Sequence, residues 1–312
     1  MSFKTLLTVV TDKTHLQDTV AQAISFADCM DAHLDVVCIG VDRTQTGYYY
    51  AGMNAAVLQE TLNQARSDST DMAEAARGLL RSTNLRWGVT DLVCQLADVA
   101  RVVASYARFA DLAILPRPYG DDRGIELEPV VEGALFEGQA PVIVLPAHSE
   151  ELRLPDRIAI GWNESAEALR AVRSALPILK PAKRSHIVVI DPPKHGPPRS
   201  DPGGLLSQFL ARHGVHVEID VLSKTLPRVS DVMRRHVTDI DADMVIMGAY
   251  GHSRFREAIL GGATRNMLET AEVPVFMAHY PVSRRRPCVS SDRTASRRPG
   301  ASPALSAEMS RR

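Results

Sequence analysis

Residues 241–280 read DADMVIMGAYGHSRFREAILGGATRNMLETAEVPVFMAHY. Met244 to Met247 is a short apolar run of the kind that forms a buried parallel strand, and Gly248 and Gly251 follow it at once. Glycine there lets the backbone bend sharply and lets a ligand come close where a Cβ would stand in the way. After nine further residues come Gly261 and Gly262, and Ala263 and Thr264 then open a helix that runs through Arg265 to Thr270. The first turn of a helix presents unpaired N–H groups and a partial positive charge, which favour an anion. Thr264 adds a hydroxyl donor. Two loops converging at the carboxyl end of a strand read as a phosphate cradle built mostly of main chain. Tight turns and close helix packing are the competing account of the same glycines, and a lone GxxG would favour it.

Working outward, the chain repeats itself. LLTVVTD at 6–12 matches IAIGWNE at 158–164, and LDVVCIGVD at 34–42 matches SHIVVIDPP at 185–193. FADLAILPRPYG at 109–120 matches DADMVIMGAYG at 241–251, and APVIVLP at 140–146 matches VPVFMAH at 273–279. Each is an apolar run that stops at polar, Gly or Pro residues, as buried parallel strands do. Helical spacing separates the first two runs of each half: Val20, Ile24 and Ala27 in one, Ala168, Leu169, Val172, Ala175 and Leu176 in the other. The second half continues with a helix near 203–213, a strand at 215–222 and a helix near 229–239. Alternation of this kind predicts an α/β fold, with two tandem doubly wound domains, each on a five-stranded parallel sheet covered on both faces. The expected boundaries are 1–148 and 155–282, with a tail over 283–312.

The strand, the GxxG, the nine-residue spacing, the second glycine pair and the VPVFM strand together resemble the signature of the universal stress protein family. The resemblance extends over both halves, from residue 3 to about 282. Nucleotide-binding members carry a G followed by Ser or Thr after the nine residues, and here Gly262 stands in the hydroxyl position, which removes one phosphate donor. Thr264 matches a second small or hydroxyl position. The resemblance implies a Rossmann-like fold and, in the second half, a site for ATP or another adenine nucleotide, with or without Mg. Asn163 takes the place of the Asp that meets adenine, and its amide both donates and accepts. Ile190 and Asp191 correspond to the position that contacts base or ribose, although Asp191 also suits the turn before Pro192 and Pro193. His252 is a phosphate donor or proton carrier on this reading; Arg254 and Arg256 add positive potential or simply face solvent. Tandem members of the family pair their final strands across a pseudo-two-fold axis, which brings Val142–Leu145 near Val275–Ala278 and makes an intrachain pseudo-dimer, open to further homodimerisation.

The first half lacks the cradle. Pro116, Arg117, Pro118, Tyr119 and Gly120 replace GAYG, and Glu132, Gly133, Ala134 and Leu135 replace GGAT. Prolines remove donors, and Glu132 repels phosphate, so no nucleotide is expected there. Asp12 matches Asn163 without a loop to serve it. The stretch from Asp42 to about Gln59, holding Tyr48, Tyr49 and Tyr50, reads as an aromatic insertion that covers apolar surface or caps a site. His213 and His216 read as a helix end and a strand start rather than a metal pair.

At 312 residues and 45% hydrophobic composition the chain can fill two cores. No apolar run is long enough to span a bilayer, the N-terminus lacks signal-peptide features, and the four cysteines form no CxxC, so a cytoplasmic protein without membrane association is expected. Ser283 to Arg312 holds eight arginines against Asp292 and Glu308, a balance of +6 that leaves −7 for the rest of a chain whose net charge is −1. That composition predicts a disordered basic tail, with a solvated extension favoured over contact with nucleic acid. There is no GxxxxGK[ST] and no GxSxG, and no base or acidic Mg site is evident, which favours binding over fast hydrolysis. Three functions follow: a nucleotide-binding sensor or regulator of the stress response, an interaction module for protein partners with a vestigial pocket, and a slow nucleotide hydrolase assisted by His252 or Asp191.

Overall fold

The computed structural model describes residues 2–43, 55–120, 123–147, 151–192, 201–249 and 262–279. The first half runs β1 (Thr5–Val10), α1 (Lys13–Met30), β2 (His33–Asp42), α2 (Ala55–Leu80), β3 (Arg86–Gln95), α3 (Val99–Ala107), β4 (Leu112–Pro116), α4 (Leu127–Glu132) and β5 (Val142–Leu145). The second runs β6 (Arg157–Gly161), α5 (Ala166–Ser174), α6 (Leu176–Leu179), β7 (Arg184–Ile190), α7 (Gly204–Arg212), β8 (Val217–Leu222), α8 (Val229–Asp239), β9 (Met244–Gly248), α9 (Gly262–Thr270) and β10 (Val275–Ala278). The tail lies outside the described residues. The aromatic insertion divides: Asp42 closes β2, residues 55–59 begin the 26-residue α2, and Tyr48–Tyr50 lie outside the described residues.

All ten strands join one sheet in the order β3-β2-β1-β4-β5-β10-β9-β6-β7-β8. Pairing is parallel within each half, and the halves meet at one antiparallel seam where Val144, Ile143 and Val142 face Val275, Phe276 and Met277. Strands this apolar on both faces need helices on both, and they have them. Leu6, Ile114, Ile143, Ile160 and Phe276 pack against α1, α2 and α5 to α7. Leu7, Leu115, Val144, Val245 and Met277 pack against α3, α4, α8 and α9. Both layers run across the seam, so the halves share one compact unit.

The repeat extends to individual hydrogen bonds. Asp111, just before β4, accepts from the N–H groups of Lys4 and Thr5 at 2.7 and 3.0 Å. Asp243, just before β9, accepts from those of Asp156 and Arg157 at 2.9 and 3.0 Å. Each carboxylate ties the start of the central strand to its neighbour across the crossover. The outer strand β8 is fastened differently: Asp220 Oδ2 lies 2.9 Å from His186 Nδ1 on β7 and 2.7 Å from His236 Nε2 on α8.

Phe276 is fully buried at the seam, opposite Ile143. Phe276→Ala is expected to cost about 3–5 kcal/mol of stability, as large-to-small core changes do, and to leave one cooperative transition for both halves. Denaturant titration followed by far-UV and fluorescence signals checks both points; a loss below about 1 kcal/mol would contradict the placement of Phe276 in a shared core.

Candidate functional site

In the second half the strand order switches direction at β6, with β7 and β8 on one side and β9 and β10 on the other. The carboxyl ends of β6 and β9, where Gly161 pairs with Met247, are thus the switch point of this half, the place where open α/β sheets receive ligands. Asn163 lies two residues past Gly161 and is exposed. Its Oδ1 accepts from the Ser165 N–H at 3.1 Å, and Ser165 Oγ accepts from the Ala168 N–H at 3.1 Å to cap α5. That turn engages the carboxamide oxygen and leaves the NH2 as the donor able to meet a base. Ile190 ends β7 half-buried. Asp191 follows in the left-handed region at φ 51°, exposed, with its N–H donated to Leu222 O at 2.8 Å. Its carboxylate is thus the part available to a hydroxyl.

Gly248 has a packing reason for being glycine. A Cβ there would lie 2.4 Å from Ala168 N and 2.7 Å from the Glu167 carbonyl carbon, so its absence lets β9 meet the first turn of α5. Substitution at Gly248 therefore disturbs the fold before it tests a ligand. Gly262 and Ala263 lie inside α9, as its first residues, and both are exposed; a Cβ on Gly262 would meet nothing within 4 Å. Thr264 is buried at 4% exposure, which makes the main-chain amides, rather than its hydroxyl, the accessible donors of that turn. Gly251, His252 and Gly261, with Arg254 and Arg256, lie outside the described residues. His213 caps the end of α7 and packs its ring edge-on against Phe209 at 4.6 Å.

The matching place in the first half holds an internal ion pair. Glu126, fully buried ahead of α4, receives Arg43 Nη2 at 2.7 Å on Oε1, while its Oε2 has no hydrogen-bond partner among the described residues. Gly124 makes room, since a Cβ there would lie 2.4 Å from Glu126 Oε1. Asp12 caps α1 by accepting from the Thr14 N–H at 2.6 Å. Burial pushes its carboxyl upward, but the Thr14 hydrogen bonds, with His15 and Arg43 nearby, outweigh this and hold it below the usual range. A carboxylate thus stands opposite the cation of this pair. A cavity of about 440 Å³ lies in the first half, between α1 and the carboxyl ends of β4 and β5, lined by His15, Gln22, Pro116, Arg123 and Leu145.

The altered loop of the first half reaches the second. Arg117 Nη1 donates to Glu269 O at 3.0 Å, in the last turn of α9. Tyr119 lies under the guanidinium of Arg265, 4.9 Å from ring centroid to carbon, and its hydroxyl donates to Glu128 Oε1 at 2.9 Å. Burial, followed by the bond to Glu128, raises the Tyr119 pKa, so the phenol stays a donor. Arg265 in turn pairs with Glu269 at 2.8 Å. On the neighbouring side of the seam, the Phe136 ring meets His279 edge-on at 4.9 Å, and His279 Nδ1 lies 3.3 Å from Ala249 O, just past Gly248. Sequence reading treats Arg117 and Tyr119 only as losses from a cradle; Arg117 and its partner Glu269 on α9 are 152 positions apart, and no local spacing announces the contact.

Burial, reinforced by Glu128, pushes the Glu132 carboxyl up to about 7 from 4.5. The folded chain then binds its proton more tightly than the unfolded chain, so this group's contribution is fully present below about pH 4.5 and lost as pH rises through about 7. Glu132→Gln is expected to gain melting temperature over wild type progressively from about pH 5 to about pH 8. Thermal unfolding across that range checks the sign, and an advantage that shrinks with rising pH would contradict it.

Residues 155–279 match the family model described as universal stress protein family. A universal stress protein of Synechocystis sp. is 28% identical over 91 residues, which are 29% of this chain and 31% of that protein. The alignment thus spans about a third of the curated relative it matches. A universal stress protein from Archaeoglobus fulgidus superposes with a TM-score of 0.63 at 17% identity, over 89% of this chain and 97% of that one. A putative universal stress protein from Pseudomonas aeruginosa does so with a TM-score of 0.53 at 14% identity, over 89% and 93%. At those identities the superpositions show the fold alone.

Proposed function

We propose, from the premise that residues 155–279 place this chain in the universal stress protein family, that its second half binds ATP or a related adenine nucleotide and that the protein acts as a sensor or regulator in a stress response. The observation that carries the proposal is the coincidence of three things in one half: the family match, the GxxG with its nine-residue spacing, and a strand order that switches direction at β6, with Asn163 after β6, Asp191 after β7 and the exposed first turn of α9 after β9. In this reading the base meets Asn163, the ribose meets Ile190 and Asp191, and the phosphates meet main-chain amides around Gly248, Gly251 and residues 261–264, with His252 as the side-chain donor. The likeness extends over the fold of both halves, yet Glu126 makes the first half's switch point a poor host for a second anion.

The interaction-module reading draws on Gly262, which lacks the hydroxyl that the family places there. Isothermal titration of the purified chain with ATP separates the two readings: heat of binding at millimolar nucleotide is expected, and its absence would remove the nucleotide from the account. Gly261→Val is expected to abolish the signal. Gly262→Ser is expected to tighten binding, because the position is open enough to take a side chain and one added hydrogen bond contributes about 0.5–1.5 kcal/mol, or roughly 2- to 12-fold in affinity. A Gly262→Ser variant that binds no better than wild type would mean that phosphate does not reach this helix. Phosphate release compared between wild type and His252→Ala tests slow hydrolysis.

A further inference from the structure

We infer that the first half is the positioning partner of the second half's anion-facing helix: Arg117 and Tyr119 hold α9 in place, so that residues of one repeat set the ligand affinity of the other. The inference rests on the proposed nucleotide reading of α9 and adds the device that fixes it. Helix α9 has nine residues, and isolated helices that short are unstable in water without tertiary support. Its amino end must stay presented to a ligand, so support has to come from its flank and its carboxyl end.

Met267 and Leu268 pack α9 beside α8 within the second half, and the first half adds a contact on the flank and one at the carboxyl end. Arg117 donates to the carbonyl of Glu269, one of the terminal carbonyls that no amide within the helix can satisfy, and places a positive charge at the negative end of the helix dipole. Tyr119 carries the guanidinium of Arg265 on its ring, one position after Thr264, and is itself fixed by the bond from its hydroxyl to Glu128 on α4. Arg265 and Glu269 close the set as an ion pair along the helix. One loop thus grips α9 on its flank and at its carboxyl end. A second tie reaches the glycine loop: Phe136 packs on His279, which contacts the carbonyl of Ala249. Pro116 and Pro118, which fix the backbone on either side of Arg117, make this loop rigid enough to serve as a mount. The replacement of GAYG by PRPYG in the first half therefore exchanges a ligand loop for a contact with the repeat that keeps its ligand loop.

The test uses the full chain as wild type, Arg117→Ala, Arg117→Lys, Tyr119→Phe and Tyr119→Leu. Hydrogen exchange is read at the amides of residues 262–270 and of β6 and β7, and ATP affinity is read by titration. Arg117→Ala and Tyr119→Leu are expected to speed exchange in α9 while β6 and β7 stay protected, and to weaken ATP binding roughly 2- to 30-fold, the range of couplings carried through packed contacts. Arg117→Lys, which restores a charge and a donor, and Tyr119→Phe, which keeps the ring, should recover part of both. Unchanged α9 exchange in Arg117→Ala and Tyr119→Leu overturns the inference, as does faster α9 exchange with unaltered ATP affinity. Loss of protection in β6 and β7 as well would mean that these residues hold the fold rather than the helix, and overturns it too. A wild-type chain that binds no ATP instead sinks the nucleotide reading itself, a result distinct from binding that ignores the variants.

Discussion

The antiparallel pairing of β5 with β10 is the constraint on which the rest of this structure depends. Each is a four-residue, fully buried strand at the inner edge of its half, and left alone each would expose a row of unpaired amides and carbonyls on an apolar edge. Three facing residue pairs remove both edges at once and turn two five-stranded sheets into one of ten. The pairing also decides which helices become neighbours. Because β4 and β9 flank the seam, the loop that follows β4 comes against α9, and the segment that follows α4 comes against His279. The contacts of Arg117 and Tyr119 are consequences of that geometry.

The two halves share one strand order and part at their carboxyl edges. The carboxylates of Asp111 and Asp243 do the same work at matching places, since any parallel sheet of this order must tie its central strand to the next across a crossover. The carboxyl edges are under no such common constraint. One has an exposed helix turn and a carboxamide donor; the other has a buried glutamate facing an arginine. A fixed internal carboxylate and a bound phosphate compete for the same positive charge, so a half that has the first has little use for the second.

Much of this fold can be read from the residues, because nearly every strand is an apolar run that ends in a turn residue. LDVVCIGVD and SHIVVIDPP are strands for that reason. The long α2 is less legible: its buried apolar positions, Ala65, Met72, Ala73, Ala76 and Leu80, are mostly small and too spread to outline a face by pattern alone. At the site, Asn163 and Asp191 stand where strand ends should be. Two residues answer to packing as well. Gly248 suggests ligand access but answers to the backbone of α5, and Thr264 suggests a donor but is buried within α9. For Gly248 the deciding atoms belong to an element distant in sequence. The same holds for Glu126, whose partner Arg43 lies 83 positions earlier.

The central claim is that one switch point of this pseudo-symmetric chain takes an anionic nucleotide and the other does not. Native mass spectrometry of the full chain at saturating ATP tests it most directly, because it counts ligands. The account predicts a single adduct per chain, lost in Gly261→Val. Two adducts, or none, would contradict it.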